Sequence, residues 1–140
     1  MKQNEDAAPE NLPTEAMTQA SDLDPGPTPG DLLAWGSQAV LDVAAERRRQ
    51  IEAEGCTTQH DDANPAGVMS VAAGCYALSA GYALALAGGD TSTCPAPEAF
   101  PWDDAWWKPT TSRRDLVKAA ALILAEIERL DRMAERQEGA

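Results

Sequence analysis

The feature that most constrains the fold of this chain is an uncharged run from Val71 to Ala87. The run is nearly long enough to span a bilayer, but it is rich in Ala and Gly rather than in Leu and Ile. Acidic residues lie on both sides of it, at Asp61, Asp62 and Asp90. Because membrane insertion is favoured most by Leu, Ile, Phe and Val and opposed by charge, we predict a buried core helix here rather than a membrane span.

This central helix is predicted to start near Pro65 and to continue to about Leu86. Its large side chains recur at helical spacing: Val71, Cys75, Leu78, Tyr82 and Leu86. Small residues fill the other positions: Ala72, Ala73, Ala77, Ala80 and Gly81. We therefore expect neighbouring helices to approach it closely on more than one side.

A second helix is predicted from Asp31, and Gly55 should end it, because Gly commonly follows a helix C-terminus. Its apolar positions share one face: Leu33, Val40, Ala44 and Ile51. The residues from Gly55 to Pro65 are polar and are predicted to form a loop.

A third helix is predicted to begin at Ser112, with Asp115 completing an arrangement like a capping box. Its apolar residues form a heptad-like stripe: Leu116, Ala120, Ile123, Ile127 and Leu130. No strand signal is longer than a few residues. The sequence thus predicts an all-α fold over residues 31–137, with three main helices in a small bundle, long polar loops and a short helix around the Trp cluster.

Residues 1–30 are rich in Pro, Glu, Asp and Ala and contain only two Leu and two Met among the larger apolar residues. That is too little apolar surface to offset the entropy of ordering, so we predict a disordered acidic tail. Its alternative role is that of a nucleic-acid mimic or a partner-binding arm.

The overall charge limits the partners of the chain. Eleven Lys and Arg oppose 23 Asp and Glu, for a net charge of −12, and the resulting field repels duplex DNA and anionic membranes. The three Cys (Cys56, Cys75, Cys94) form no C-x-x-C pair, and the N-terminal residues have no apolar stretch of the signal-peptide type. We therefore expect a reduced protein of the cytoplasm, in which a homodimer would supplement a marginal core of roughly 110 residues.

Two arginines, Arg113 and Arg114, lie in the first turn of the third helix, where the helix dipole disfavours cations. They could pair with nearby aspartates, for which the candidates are Asp103, Asp104 and Asp115. Alternatively, together with Lys108 and Lys118 they could form an anion site, because a helix N-terminus flanked by cations binds phosphate or carboxylate.

Three tryptophans (Trp102, Trp106 and Trp107) precede that helix. They could anchor the long loop on the core, since each carries a large apolar area. They could also offer a stacking platform for a base or another flat ring beside the cations. The two interpretations are compatible.

The segment from Glu46 to Asp62 allows two further interpretations. Residues such as Glu46, Arg49 and Gln50 lie off the apolar stripe and could form ordinary solvated helix surface, with Asp61 or Asp62 capping the central helix. Alternatively, His60, Asp61 and Asp62 could join Glu46 in a site for Mg²⁺ or Mn²⁺, or in an acid and base pair. The candidate catalytic and metal-binding residues are accordingly Glu46, His60, Asp61 and Asp62. The candidate ligand-binding residues are Arg49, His60, Trp106, Trp107, Lys108, Arg113 and Arg114.

Three blocks between residues 42 and 132 resemble small proteins of tailed phages and bacterial prophages, most of them without an assigned function. The blocks are DVAAERRRQIEAEG followed by HDD, a small-residue helix containing CYAL, and FPWDDAWWKPTTSRRDLVKAAALILAEIERLDR. The chain departs from that pattern at Cys56, where Trp is usual, and at Asn64, where a further His is usual. The resemblance implies a phage accessory protein in the bacterial cytoplasm.

A second, weaker resemblance is to the MazG-like nucleotide pyrophosphohydrolases, all-α enzymes that bind magnesium through E-x-x-E and E-x-x-D motifs. Glu128 and Asp131 form an E-x-x-D here, but no E-x-x-E precedes it at the usual distance. The resemblance implies a metal-dependent hydrolase of nucleoside triphosphates, for which Glu46, Glu52 and Glu54 are the only substitute ligands.

Three functions follow from the sequence. The first is binding of a phosphorylated, nucleotide-like ligand by cations and Trp residues, with sequestration of a host defence signal as one role. The second is the magnesium-dependent pyrophosphohydrolase. The third is a protein-interaction module without a ligand, in which the acidic surface or tail meets a host protein.

Overall fold

The computed structural model describes residues 28–34 and 36–139. Helix α1 (Pro29–Ala34) begins with a reciprocal cap, in which the Thr28 N–H donates to Asp31 at 2.8 Å and the Asp31 N–H donates to Thr28 at 3.2 Å. It belongs to the segment that precedes the compact helical unit, which begins at Gly36. Apart from residues 28–30, the tail predicted over residues 1–30 lies outside the described residues.

Four α-helices follow within the compact unit: α2 (Gln38–Glu54), α3 (Thr58–Ala63), α4 (Val68–Leu86) and α5 (Ser112–Glu138). A short 3₁₀ helix (Asp104–Trp106) lies in the long connection before α5. Helix α5 is central, since α2, α3 and α4 all pack on it. Within the described ranges the only β-type pairing is an isolated bridge between Asp90 and Thr111, so the predicted all-α fold with three long helices is confirmed.

The prediction of one helix from Asp31 to Gly55 is wrong, because the chain breaks between α1 and α2. Ser37 caps a new helix by accepting the N–H of Val40 at 3.3 Å, and Gly55 ends that helix in the left-handed region, at φ 71°. The polar segment predicted as a loop contains α3, which Thr57 caps by accepting the N–H of His60. A serine or threonine three residues before a backbone donor explains both new helix starts.

Helices α4 and α5 pack through alanine, as the small residues of α4 predicted. The prediction that helices approach α4 on more than one side is wrong, because α5 is the one described helix that packs on it. Their buried alanines are Ala72, Ala73, Ala80, Ala83, Ala119, Ala121 and Ala125. The start of α5 lies beside the end of α4, where the Ser112 hydroxyl donates to the Ala80 carbonyl at 2.9 Å. Because alanine carries only a methyl group, the two backbones approach closely and bury few large side chains.

The large apolar stripes predicted for the three long helices are mostly exposed, so that part of the core prediction is wrong. The exposed stripe members are Val40, Ile51, Val71, Leu78, Tyr82, Leu86, Leu116, Ile123, Ile127 and Leu130. Within the described residues, Cys75 is the one large member of these stripes that is buried. Val117 is the one described Leu, Ile or Val whose side chain is buried. The alanine faces of α4 and α5 pack against each other in a contact that we call the alanine seam. The larger side chains of these helices therefore project outward.

By length and composition alone, α4 would pass for a membrane-crossing helix, since its mean hydropathy is 1.5. The core helix of a protein passes the same test, and 39% of the apolar window is buried within this fold. Its buried face contacts α5 and the aromatic loop. This packing agrees with the core helix predicted from the sequence.

The Trp cluster anchors the long loop to α4, as one of its two interpretations predicted. The Trp107 ring stacks on Tyr76 with centroids 4.4 Å apart, and its Nε1–H donates to the Cys94 carbonyl at 2.8 Å. Phe100 is buried and packs edge-on against Trp107 and Trp102. This aromatic group fixes the loop that carries Trp106 and Lys108.

The start of α5 is held by a buried carboxylate. Thr111, not the predicted Ser112, is the N-cap, and it accepts the N–H of Arg114 at 3.2 Å. Asp115 is fully buried, where it accepts the N–H of Thr110 at 3.1 Å and the hydroxyl proton of Thr91. Asp115 thus ties the loop after α4 to the first turn of α5.

We expect Asp115→Ala to lower the free energy of unfolding by about 2–3 kcal/mol, because two buried donors lose a charged acceptor. Urea denaturation followed by circular dichroism measures this loss. Asp131→Ala is the matched control, since Asp131 is exposed on the same helix, and it should change stability little. Equal losses in the two variants would show that Asp115 does not have this role.

Candidate functional site

A cavity of about 600 Å³ lies between α2, α3, α4, α5 and the Trp loop. Its lining brings together six residues that the sequence predicted as functional: Glu46, Arg49, His60, Trp106, Lys108 and Arg114. The other lining residues are Gln50, Glu54, Cys56, Asn64, Tyr76, Trp102, Thr110, Lys118 and Leu122.

Glu46 is the buried centre of this cavity wall, with 2% of its surface exposed. Its two oxygens accept from Arg49 Nε at 2.8 Å and Arg49 Nη2 at 2.7 Å, and one of them also accepts from Arg114 Nη2. Burial acts to raise the pKa of Glu46, but the hydrogen bonds and charges of the two guanidinium groups outweigh it, so the pKa lies below its ordinary value. Glu46 is therefore an ionised anchor that orients two arginines.

Arg49 and Arg114 both present unused N–H groups to the cavity. Their side chains are 41% and 38% exposed. Within the described part of the chain, the Arg49 Nη1 donors and the Arg114 Nε and Nη1 donors have no protein partner. Since a guanidinium group carries five donors, each arginine can hold Glu46 and an incoming anion together.

Two lysines complete the positive part of the cavity. Lys118 Nζ donates to the Lys108 carbonyl and lies 5.6 Å from the Tyr76 ring centroid. Burial lowers the pKa of Lys118 from its ordinary value. Lys108 Nζ lies 5.6 Å from the centroid of the Trp106 ring, so a cation and an exposed aromatic face adjoin at the cavity edge.

Tyr76 joins the cavity to the aromatic loop. Its hydroxyl accepts the Lys108 N–H at 3.1 Å and donates to the Trp106 carbonyl at 3.3 Å. Burial raises the pKa of Tyr76, so the hydroxyl keeps its proton at neutral pH. Tyr76 therefore sets the position of the two loop residues that face the cavity.

The cavity lining is positively charged although the chain as a whole is acidic. Four cationic side chains (Arg49, Lys108, Arg114, Lys118) face two carboxylates (Glu46, Glu54), which leaves a formal excess of two positive charges with His60 neutral. The whole chain has a net charge of −12. A concave positive site of this kind concentrates anions locally.

Two predicted ligand-binding residues lie outside the cavity lining. Arg113 forms an ion pair with Asp42 at 2.8 Å, rather than with any of the aspartates considered from sequence. Trp107 packs in the aromatic core, where its face is covered by Tyr76. Successive helical residues point in directions about 100° apart, which sends Arg114 to the cavity and Arg113 toward α2.

The predicted catalytic and metal site at Glu46, His60, Asp61 and Asp62 is wrong as a shared shell. In the described part of the chain no three His, Cys, Asp or Glu side chains are placed to hold an ion. Asp61 is buried against Arg47 at 2.9 Å, while Asp62 points to α5 and pairs with Arg132 at 2.8 Å. The adjacent carboxylates of α3 thus face different partners, and both are engaged by arginines.

The interpretation of the α2 polar face as solvated surface is also wrong. The buried residues of α2 are Glu46, Arg47 and Gln50. Ion pairs bring this face to α3 and α5, so burial here follows charge rather than hydrophobicity. An amphipathic pattern alone cannot reveal such a face, because it assigns polar residues to solvent.

Several cavity residues were missed from sequence. Lys118 was named as an accessory cation only, although its position four residues after Arg114 places it on the same face of α5. Tyr76, Thr110 and Leu122 were not singled out. Their role depends on how the long loop folds back onto α4, which no local pattern encodes.

Comparison with known proteins gives no match: no family model, no curated protein and no solved structure is significantly similar to the chain.

Asp61→Ala should lower the free energy of unfolding by about 3–5 kcal/mol, because it leaves Arg47 buried without its main partner. Two other nitrogens of Arg47, Nε and Nη1, already lack a partner among the described residues. Thermal and urea denaturation measure the loss. Asp62→Ala is the matched control, since Asp62 pairs with the half-buried Arg132 and the exposed Arg136, and it should be far less harmful.

Proposed function

We propose that the protein binds a phosphorylated, nucleotide-like small molecule in the cavity between α2, α5 and the Trp loop. The observation that carries the proposal is the meeting of four cationic side chains with exposed aromatic surface in one concave site. A volume of about 600 Å³ is in the range of small-molecule sites. The cations would bind the phosphate, and the exposed aromatic surface would stack on the base.

The phosphate end would be held by Arg49, Arg114 and Lys118. The two arginines are already oriented by Glu46, so little side-chain freedom is lost when an anion binds. Lys118 is partly desolvated, and an anion beside it would favour its charged form. A doubly charged or triply charged phosphate would also match the excess positive charge of the lining.

The base would stack at the cavity edge. Trp106 is 54% exposed, and Lys108 Nζ lies over one face of its ring. Aromatic stacking next to a cation suits a flat nitrogen heterocycle. Thr110 and Asn64 line the same cavity and can supply hydrogen bonds to the sugar or the base.

On the resemblance to phage and prophage proteins, such a binder would act in the bacterial cytoplasm. Capture of a nucleotide signal there would deprive a host defence system of its messenger. This role requires tight binding without turnover. Binding without turnover agrees with this cavity, because its carboxylates are bonded to arginine side chains.

The pyrophosphohydrolase alternative has less support from the geometry. Glu128, the first residue of the E-x-x-D motif, pairs with Arg47 at 3.1 Å, and neither it nor Asp131 lines the cavity. The carboxylates that do line it, Glu46 and Glu54, both bond to Arg49. We therefore propose binding, and turnover in the presence of Mg²⁺ or Mn²⁺ would replace that proposal with the enzymatic one.

Arg114→Gln should weaken nucleotide binding at least about tenfold, because a charged contact to phosphate is lost. Isothermal titration calorimetry with nucleoside mono-, di- and triphosphates and cyclic nucleotides measures the affinities. Arg113→Gln is the matched control, since it removes the same charge one residue away but outside the cavity lining. Absence of heat across the whole panel would refute the proposal.

Trp106→Ala should weaken nucleotide binding by roughly 5- to 100-fold, in line with the value of one base–aromatic stack. The same variant should leave the affinity for inorganic pyrophosphate unchanged, because pyrophosphate has no ring to stack. Competition titrations with the two ligands separate these effects. Parallel losses for both ligands would contradict the assignment of Trp106 to the base.

A further inference from the structure

Apolar side chains are exposed on α2 and on α5, on the side of each helix that faces away from the cavity. On α5, Leu116, Ile123 and Ile127 lie roughly half a turn around the helix from Arg114 and Lys118, which line the cavity. On α2, Ala44 and Ile51 lie about as far from Glu46 and Arg49. We call this surface the back face, and its large exposed side chains are Val40, Leu41, Ile51, Leu116, Ile123, Leu124, Ile127 and Leu130.

The back face holds the aliphatic side chains that the core lacks. The buried hydrophobic core of the described residues is mostly alanine, with Val117 its one Leu, Ile or Val. The eight back-face side chains are each exposed by 37–56%. Together they expose several hundred Å², which approaches the roughly 800 Å² that one partner contributes to a standard protein interface.

We propose that the back face binds a second copy of this chain, with the two α5 helices packed antiparallel about a two-fold axis near Ile123. On α5, Leu116, Ile123 and Leu130 are seven residues apart. At this spacing the side chains of one helix can pack into the gaps between side chains of a paired helix. The α2 helices would flank this pair, so that two α2 and two α5 helices form a four-helix layer. Each cavity would remain open on the outer side.

The antiparallel direction follows from size and charge. With Ile123 on the axis, Leu116 of one copy faces Leu130 of the other, and Ile127 lies close to the smaller Ala120. The same register brings Arg113, which also pairs with Asp42 of its own copy at 2.8 Å, near Asp131 and Glu135 of the second copy. A parallel pair would instead place the acidic ends of α5 side by side, where like charges repel.

A second copy fits this face better than an anionic membrane surface does. Acidic side chains border it at Asp42, Glu128 and Asp131, and the chain carries a net charge of −12. Asp42 and Glu128 are paired with Arg113 and Arg47 of the same copy, whereas Asp131 has no ion-pair partner among the described residues. An acidic chain with such a border is repelled by anionic lipid headgroups, and in a self-complementary pair Asp131 can be met by Arg48 of the partner copy.

The test is the mass of the full chain in solution, by sedimentation equilibrium and light scattering at micromolar concentrations. We expect twice the chain mass for the wild type. Ile123→Glu places two carboxylates against each other at the axis and should raise the dissociation constant at least about 100-fold, leaving one chain mass. Leu78→Glu is the matched control, since Leu78 is 64% exposed on α4 outside the back face, and it should keep the doubled mass.

Circular dichroism shows whether Ile123→Glu keeps its helices. If this variant unfolds, the melting temperature of the wild type at several protein concentrations tests the proposal instead. The melting temperature of a dimer that dissociates on unfolding rises with protein concentration. A single chain mass at every concentration, with or without binding to anionic vesicles, overturns the proposal. A doubled mass that survives in folded Ile123→Glu also overturns it, because the interface must then lie elsewhere.

Discussion

A buried network of ion pairs holds helix α2 against the rest of the compact unit. Glu46 bonds Arg49 and Arg114, and Arg47 bonds Asp61 at 2.9 Å. Through these pairs α2 is joined to α3 and α5 by directional contacts rather than by aliphatic packing. Both surfaces discussed above depend on this arrangement: the cavity is its inner side, and the exposed Val40 and Ile51 lie on its outer side.

Much of the fold follows from local sequence signals. Helix α4 ends at Leu86 as predicted, Gly55 ends α2, and the small residues of α4 pack against α5. The break before α2 and the short α3 were missed, although Ser37 and Thr57 are ordinary cap residues. The larger error concerned which face is buried, because periodicity identifies an apolar stripe but not the surface that covers it. On α5 the stripe is exposed and the alanine face is buried.

The candidate site was predictable as a set of residue types but not as a geometry. Glu46, Arg49, His60, Trp106, Lys108 and Arg114 were all singled out, and the structure brings them to one cavity. Their chemistry was ambiguous, because the sequence allowed Glu46 to be a metal ligand or a surface residue. The structure resolves that ambiguity by bonding Glu46 to Arg49 and Arg114. A long-range pair such as that between Glu46 and Arg114 leaves no local signal in the sequence.

The alanine seam between α4 and α5 has a consequence for how this protein can vary. Alanine has no side-chain torsions to freeze, so the seam gains close packing at little entropic cost. Because this contact is closely packed, a larger side chain cannot be accommodated there. An added methyl group at Ala72, Ala80 or Ala121 would force the helices apart. Related chains should therefore keep residues without side-chain bulk along this line.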